Sequence, residues 1–222
     1  MPLLTPLFGS QMVDLGSALL LLTCFAIVAQ RRLSACVDLF ALQSVFLALT
    51  AALVAFLTGI HHIYIAAALT IVIKVVVIPR ILKRVIERLN VKRELQMNVN
   101  VPTGLLICGA LVMLSFFITQ PIIPLGFLLT RDSLAIALAI ILIGFFVMIA
   151  RKKAVTQVIC FLVMENGLFL GATAAAYGMP LIVELGVFFD VLVGVLIIGI
   201  YSHRMQDTFD SVDTSKLTTL KE

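Results

Sequence analysis

Between residues 13 and 202 the chain is a succession of apolar stretches, each ended by basic residues, a glycine or a proline. A helix needs roughly 20 mainly apolar residues to cross a hydrocarbon core of ~30 Å. The stretches that qualify are 13–30, 35–58, 62–83, 103–120, 133–150, 154–177 and 180–202, and they take up nearly all of the 222 residues. The sequence therefore predicts an all-α integral membrane protein with seven transmembrane helices. Composition agrees: 62% of the residues are hydrophobic and 13% charged, against ~45–50% and ~25% in a soluble domain.

The breaks have physical causes. Arg31 and Arg32 close the first stretch, and Gly59 with His61 and His62 separates the second from the third. Pro102 opens the fourth, Pro121 and Pro124 follow it, Arg151 to Lys153 close the fifth, and Gly178 with Pro180 precedes the last. Proline and glycine punctuate helices in this way. The short connections near 59–61 and 178–179 imply antiparallel helical hairpins.

Orientation follows from lysine and arginine. With seven spans, 14 of the 16 basic residues fall on one side, Arg131 falls on the other, and Lys74 lies inside the membrane. The positive-inside rule then places the N-terminus outside and the C-terminus in the cytoplasm. The start of the chain, MPLLTPLFGSQMVD, has no positive n-region, so no cleaved signal peptide is expected. With 15 Phe and no Trp, the aromatic belt reduces to Tyr64, Tyr177 and Tyr201 at the rims.

Helices one to three and five to seven follow one plan: an apolar helix, a basic group, a second helix, a short outer turn and a third helix. Gln43 follows its basic pair about as far on as Glu165 follows its triplet, and Lys74 and Asp190 stand at comparable depths. Because helix four recrosses the membrane, the two copies would be parallel, as some transporter repeats are. This divides the chain into a first three-helix repeat with a cytoplasmic helix extension (1–100), a linking helix and outer loop (101–132), a second three-helix repeat (133–203) and a cytoplasmic tail (204–222). The charged stretch 81–100 is expected to continue helix three into the cytoplasm. Pro79 weakens the hydrogen-bond ladder just beyond Lys74.

Three ionisable side chains lie within spans: Lys74 in 63–78, Glu165 in 154–177 and Asp190 in 181–201. A charge at the bilayer centre costs at least ~2.5–3.5 kcal/mol on insertion scales, and such residues mark ion and proton pathways. Glu165 is eleven residues into its helix, ~16 Å deep at 1.5 Å per residue, close to the midplane. Burial penalises the charged form of acids and bases alike, which suits groups that exchange protons. The plainer alternative is a buried ion pair, for example Lys74 with a carboxylate, that locks helices and moves nothing. Asp38, one turn inside helix two, reads as a proton-uptake group or as a rim residue paired with a base. Glu184, near the outer end of helix seven, reads as a release group or a rim acid. It is six residues before Asp190, about 600° of helical rotation, so the two do not share a face. A proton exit at His61 and His62 is one reading, because histidine is the residue type suited to proton exchange; a solvated hairpin turn is the blander one. Asn166 can donate to a carboxylate or a neighbouring helix, and Gly167 permits close helix approach.

Other chemistry is not legible. Cys24, Cys36, Cys108 and Cys160 form no CxxC pair, so they read as small packing residues rather than metal or redox ligands. No nucleophile–base pair, phosphate loop or metal cluster is apparent, and no basic stripe with aromatics suggests nucleic acid.

The runs RKKAVTQVICFLVMENGLFL, VELGVFFDVLVGVLIIGI, DSVDTSKLTTLKE and LTIVIKVVVIPRILKR together resemble the hydrogenase-4 component E family. Its members are membrane subunits of group 4 nickel–iron hydrogenases and formate hydrogenlyases. The second half is also similar to the K-type membrane subunit of respiratory complex I and of multi-subunit antiporters. The K-type family carries two intramembrane glutamates implicated in proton transfer. Glu165 matches the first, and Asp190 stands where the second would be; Gln43 and Lys74 replace carboxylates in the first half. The resemblance implies a multi-pass subunit of the bacterial inner membrane among antiporter-like membrane subunits and peripheral hydrogenase subunits. Nickel–iron and iron–sulfur centres would lie in those partners, with none in this chain. The site residues it suggests are Glu165, Asp190, Lys74, Asp38 and Glu184, in proton transfer. A subunit of a cation/proton antiporter and a structural scaffold of the membrane arm are the alternatives.

Overall fold

The structure, a computed structural model, describes residues 6–88, 99–121, 131–151 and 154–176. Within them the chain is helical. Helix α1 spans Pro6–Ala29, α2 Leu33–Thr58 and α3 His62–Thr70. A π-helical segment, Ile71–Val77, joins α3 to α4 (Ile78–Arg88), so the three form one rod. Helices α5 (Val101–Thr119), α6 (Arg131–Ala150) and α7 (Ala154–Ala176) follow. Among the described residues six helices or rods are long and apolar enough to cross a membrane, each on an expected span. The expected seventh span, 180–202, and the tail lie outside the described residues, as do Asp190 and Glu184. The expected continuation of helix three beyond its span is described as far as Arg88.

The ends obey local chemistry. Gly59 stops α2 in the left-handed region at φ 73°, and its N–H returns to Ala55 O at 2.9 Å. Only glycine adopts that conformation without a Cβ penalty. Helix α5 starts after an extended Asn100, with Pro102 in its first turn, where the missing N–H has no partner to lose.

Helix α2 lies at the centre, packing on α1, on the α3–π–α4 rod and on α7. Helix α6 packs on α7, α5 and α1. Between lipid-facing helices there is little hydrophobic drive, so close contact comes from small residues. A Cβ on Gly16 would collide with the Thr50 hydroxyl across α1 and α2, and one on Gly167 would come within 3.0 Å of Ala137 O across α7 and α6. The α1–α6 contact is polar: Ser17 donates to Val13 O at 2.9 Å, its oxygen lies 2.8 Å from the Ser133 hydroxyl, and Ser133 reaches Asp14 Oδ1 at 3.4 Å. Leu106, Met113 and Phe117 on α5 stay about three-quarters exposed, the composition of a face turned to lipid.

Arg151, which the sequence marks as a topological charge, has a second role. It is buried, and its guanidinium folds over the C-terminus of α1. Nη2 donates to Ile27 O at 2.9 Å, Gln30 O at 3.1 Å and Val28 O at 3.3 Å. The last carbonyls of a helix have no intrahelical donors, and α1 has no basic residue in its own last turn. A cation from the end of α6 supplies both the donors and the charge that suits the helix dipole.

Candidate functional site

The site begins with a defect in a helix. Pro79 has no N–H to give to the carbonyl four residues back at Val75. The turn before it is widened into the π-helical Ile71–Val77, where Ile78 N–H bonds Ile73 O five residues back. Such bulges are uncommon and often mark functional sites. Lys74 is at the middle of this one and is fully buried.

Lys74 points into the α2–α7 seam. Its Nζ lies 2.8 Å from Glu165 Oε1 and donates to Asn166 Oδ1 at 3.0 Å. The Phe169 ring, one turn beyond Glu165, has its centroid 6.0 Å from Nζ, at the limit of a cation–π contact. Glu165 is 6% exposed, and its Oε2 has no hydrogen-bond partner among the described residues. A buried ionised pair holds only with good geometry and further hydrogen bonds, and on the lysine side those are present.

Asn166 extends the pair to α2. Its Nδ2 donates to Gln43 Oε1 at 3.1 Å and to Ser44 Oγ at 3.3 Å. Gln43 Nε2 donates to Leu20 O of α1 at 3.1 Å, and Ser44 Oγ donates to Phe40 O at 2.9 Å. Gln43, Ser44, Lys74 and Asn166 are all fully buried. Helical geometry lets α7 do this: Glu165 and Asn166 turn to α2 and the π segment while Gly167 seats the opposite side on α6. The result is one polar centre, deep within the helices, drawn from four chain segments and enclosed by apolar packing.

Of the residues singled out in the sequence, Lys74 and Glu165 meet directly. Gln43, which stands in the sequence as a replacement for a carboxylate, joins them through Asn166. Asp38 is elsewhere: it pairs with Lys83 at 2.5 Å on an exposed surface, with both side chains about half exposed. His61 is exposed beside Tyr64 in the turn between α2 and α3. The four cysteines are buried free thiols. Ser44 is a member of the site that the sequence does not single out; the adjacent polar pair Gln43–Ser44 within an apolar helix is its only signal.

The chain is similar throughout its length to curated bacterial proteins. It is 34% identical to the uncharacterized protein Rv0085 of Mycobacterium tuberculosis over 96% of this chain and 97% of that protein. It is 24% identical to hydrogenase-4 component E of Escherichia coli K12, and equally to that of Shigella flexneri, over 96% of this chain and 99% of each relative. No family model and no solved structure matches it. Similarity that runs from end to end, with six spans in register with the apolar pattern, makes this multi-pass membrane chain a member of the hydrogenase-4 component E family.

Proposed function

We propose that the chain is a membrane subunit of an energy-converting nickel–iron hydrogenase complex of the formate hydrogenlyase type, in a bacterial inner membrane. In this reading it passes protons between a redox module and antiporter-like subunits. Support for the complex comes from kinship with proteins named hydrogenase-4 component E. Support for the proton role rests on one observation: a buried Lys74–Glu165 pair at 2.8 Å with one carboxylate oxygen unpartnered among the described residues.

The proton would reside on Glu165 Oε2. When the carboxylate accepts it, the Lys74 ammonium loses the charge of Glu165; when the proton leaves, the pair re-forms. Charges at hydrogen-bond distance interact by several kcal/mol even at an effective dielectric of ~20. Protonation at Glu165 is therefore felt at Lys74 and along its helix. Asp190 and Glu184 are the proposed continuation of the path, with Asp38 as a group at the cytoplasmic rim. The nickel–iron and iron–sulfur centres are assigned to partner subunits. Among the described residues no group of three or more His, Cys, Asp or Glu is placed to hold a metal ion.

The test is Glu165→Gln in the assembled complex. Hydrogen formation should persist while coupled proton movement into inverted membrane vesicles is lost. Normal proton movement in that variant ends the proposal. A structural role is the second reading, favoured by the dense bonding of Lys74 and Asn166 across three helices. Its mark would be failure of assembly when Glu165 is neutralised.

A further inference from the structure

We infer that Gln43 is a positioning residue: it fixes the sense of the Asn166 amide, so that Asn166 turns an acceptor and not a donor towards Lys74. The inference deepens the proton-transfer reading and rests on it for its functional consequence, though not for its geometry.

The argument starts from groups that have only one option. A backbone carbonyl accepts and never donates. Leu20 O therefore requires the NH2 end of the Gln43 side chain, which lies 3.1 Å away. That leaves Gln43 Oε1, an acceptor, facing Asn166. Phe40 O pulls the same way by taking the Ser44 proton at 2.9 Å, but a hydroxyl can rotate to donate instead, so Ser44 alone does not fix the sense. With its proton on Phe40 O, the Ser44 oxygen is left to accept. Both α2 groups now present acceptors to one end of Asn166, and only its NH2 can satisfy them, at 3.1 and 3.3 Å. The other end of the amide, Oδ1, is thereby directed at Lys74 Nζ, 3.0 Å away.

An ammonium group is a donor only. With the amide reversed, two N–H groups would confront each other in a buried site, and two α2 acceptors would face a carbonyl oxygen. Leaving such groups unmatched in the interior is costly. The sense of one amide is thus carried from α1 through α2 and α7 to the π-helical segment. Gln43 touches neither Lys74 nor Glu165 in the described hydrogen bonds; it acts through Asn166. This explains a fully buried glutamine in an apolar membrane helix, where a polar side chain is tolerated only if bonded.

The test uses the assembled complex and infrared difference spectroscopy. The Glu165→Gln variant first identifies the carboxylate bands of Glu165. Gln43→Met keeps the side-chain length and removes both polar ends. It should alter the Glu165 carboxylate band and lower proton movement per hydrogen several-fold, with the complex still assembled. Ser44→Ala leaves Gln43 to set the amide, so it should leave the band in place. Gln43→Asn, whose shorter arm does not reach Leu20 O and Asn166 together, should reproduce the Gln43→Met spectrum and serves where that variant assembles poorly. A wild-type band in assembled Gln43→Met or Gln43→Asn overturns the inference. The two proposals fail separately. Normal proton movement in Glu165→Gln with an altered band in Gln43→Met removes the relay and keeps the positioning role; the converse pattern removes the positioning role alone.

Discussion

Lys74 Nζ and Glu165 Oε1 are 2.8 Å apart between the π segment and α7, with both side chains almost wholly buried. Removing one member of a buried pair typically costs ~3–5 kcal/mol, whereas replacing both by apolar residues of similar volume is often neutral. Lys74→Met should therefore lower the melting midpoint of the detergent-solubilised protein clearly. The loss will be at the lower end of that range where Glu165 can take up a proton. The double variant Lys74→Met with Glu165→Leu should regain most of it. A double variant as unstable as the single one would mean that the pair does not dominate this seam.

Pro79 and the π segment make a second prediction. Pro79→Ala restores the N–H that the α-helical ladder lacks. Interior proline is disfavoured by up to ~3 kcal/mol relative to alanine, which favours the variant. Reverting a π turn to α also rotates what precedes it by about 100° per residue absorbed. Lys74 would then turn away from Glu165, at the ~3–5 kcal/mol cost of parting a buried pair, which offsets the gain. The expected outcome is an assembled complex of near-parent melting temperature that moves fewer protons per hydrogen formed. A rise in stability with unchanged coupling would separate the bulge from function.

Much of this architecture is legible in the amino-acid sequence. The limits of the six described spans follow from stretch length and from Gly59, Pro102 and the basic residues. Lys74 and Glu165 stand out because a charge in an apolar stretch has few permitted explanations. Gln43 is harder to read. Its partners are a carbonyl on α1 and an amide on α7, and neither is encoded by spacing within α2. Arg151 shows the same limit: beside Lys152 and Lys153 it reads as a topological charge, yet the open carbonyls of α1 draw it inside. The π segment leaves only Pro79 as a trace, since proline more often signals a simple kink.

Arg151 gives the third prediction. Its guanidinium bonds three carbonyls at the end of α1, and a hydrogen bond to a charged group contributes roughly 1.5–3 kcal/mol net. One Nη2 has only two protons for the three acceptors, so Arg151→Leu should lower stability by at least ~3 kcal/mol, two bonds at the low end of that range. Arg151→Lys should recover only part of this, because an ammonium is a compact charge without the planar fork that spans several acceptors. Melting in mild detergent, with proteolysis near residues 29–33, checks both. Equal stability of the lysine variant and the parent would show that charge alone, through the helix dipole, holds α1.

Asp38 separates a surface pair from a proton-uptake group. Its partner Lys83 lies at 2.5 Å, but both side chains are about half exposed. Exposed ion pairs typically contribute ~0.2–1 kcal/mol, so Asp38→Asn should shift the melting midpoint only slightly and leave assembly intact. The informative measurement is then the initial rate of hydrogen-driven proton movement. If Asp38 merely fastens α2 to α4, that rate stays at the parent value in Asp38→Asn and in Lys83→Met alike. If Asp38 feeds protons towards the buried centre, Asp38→Asn slows proton movement while Lys83→Met, which keeps the carboxylate, does not. Its separation from the hydrogen-bonded chain that joins Gln43, Asn166 and Lys74 favours the first outcome. In that case protons reach Glu165 by a route that does not begin at this face of α2.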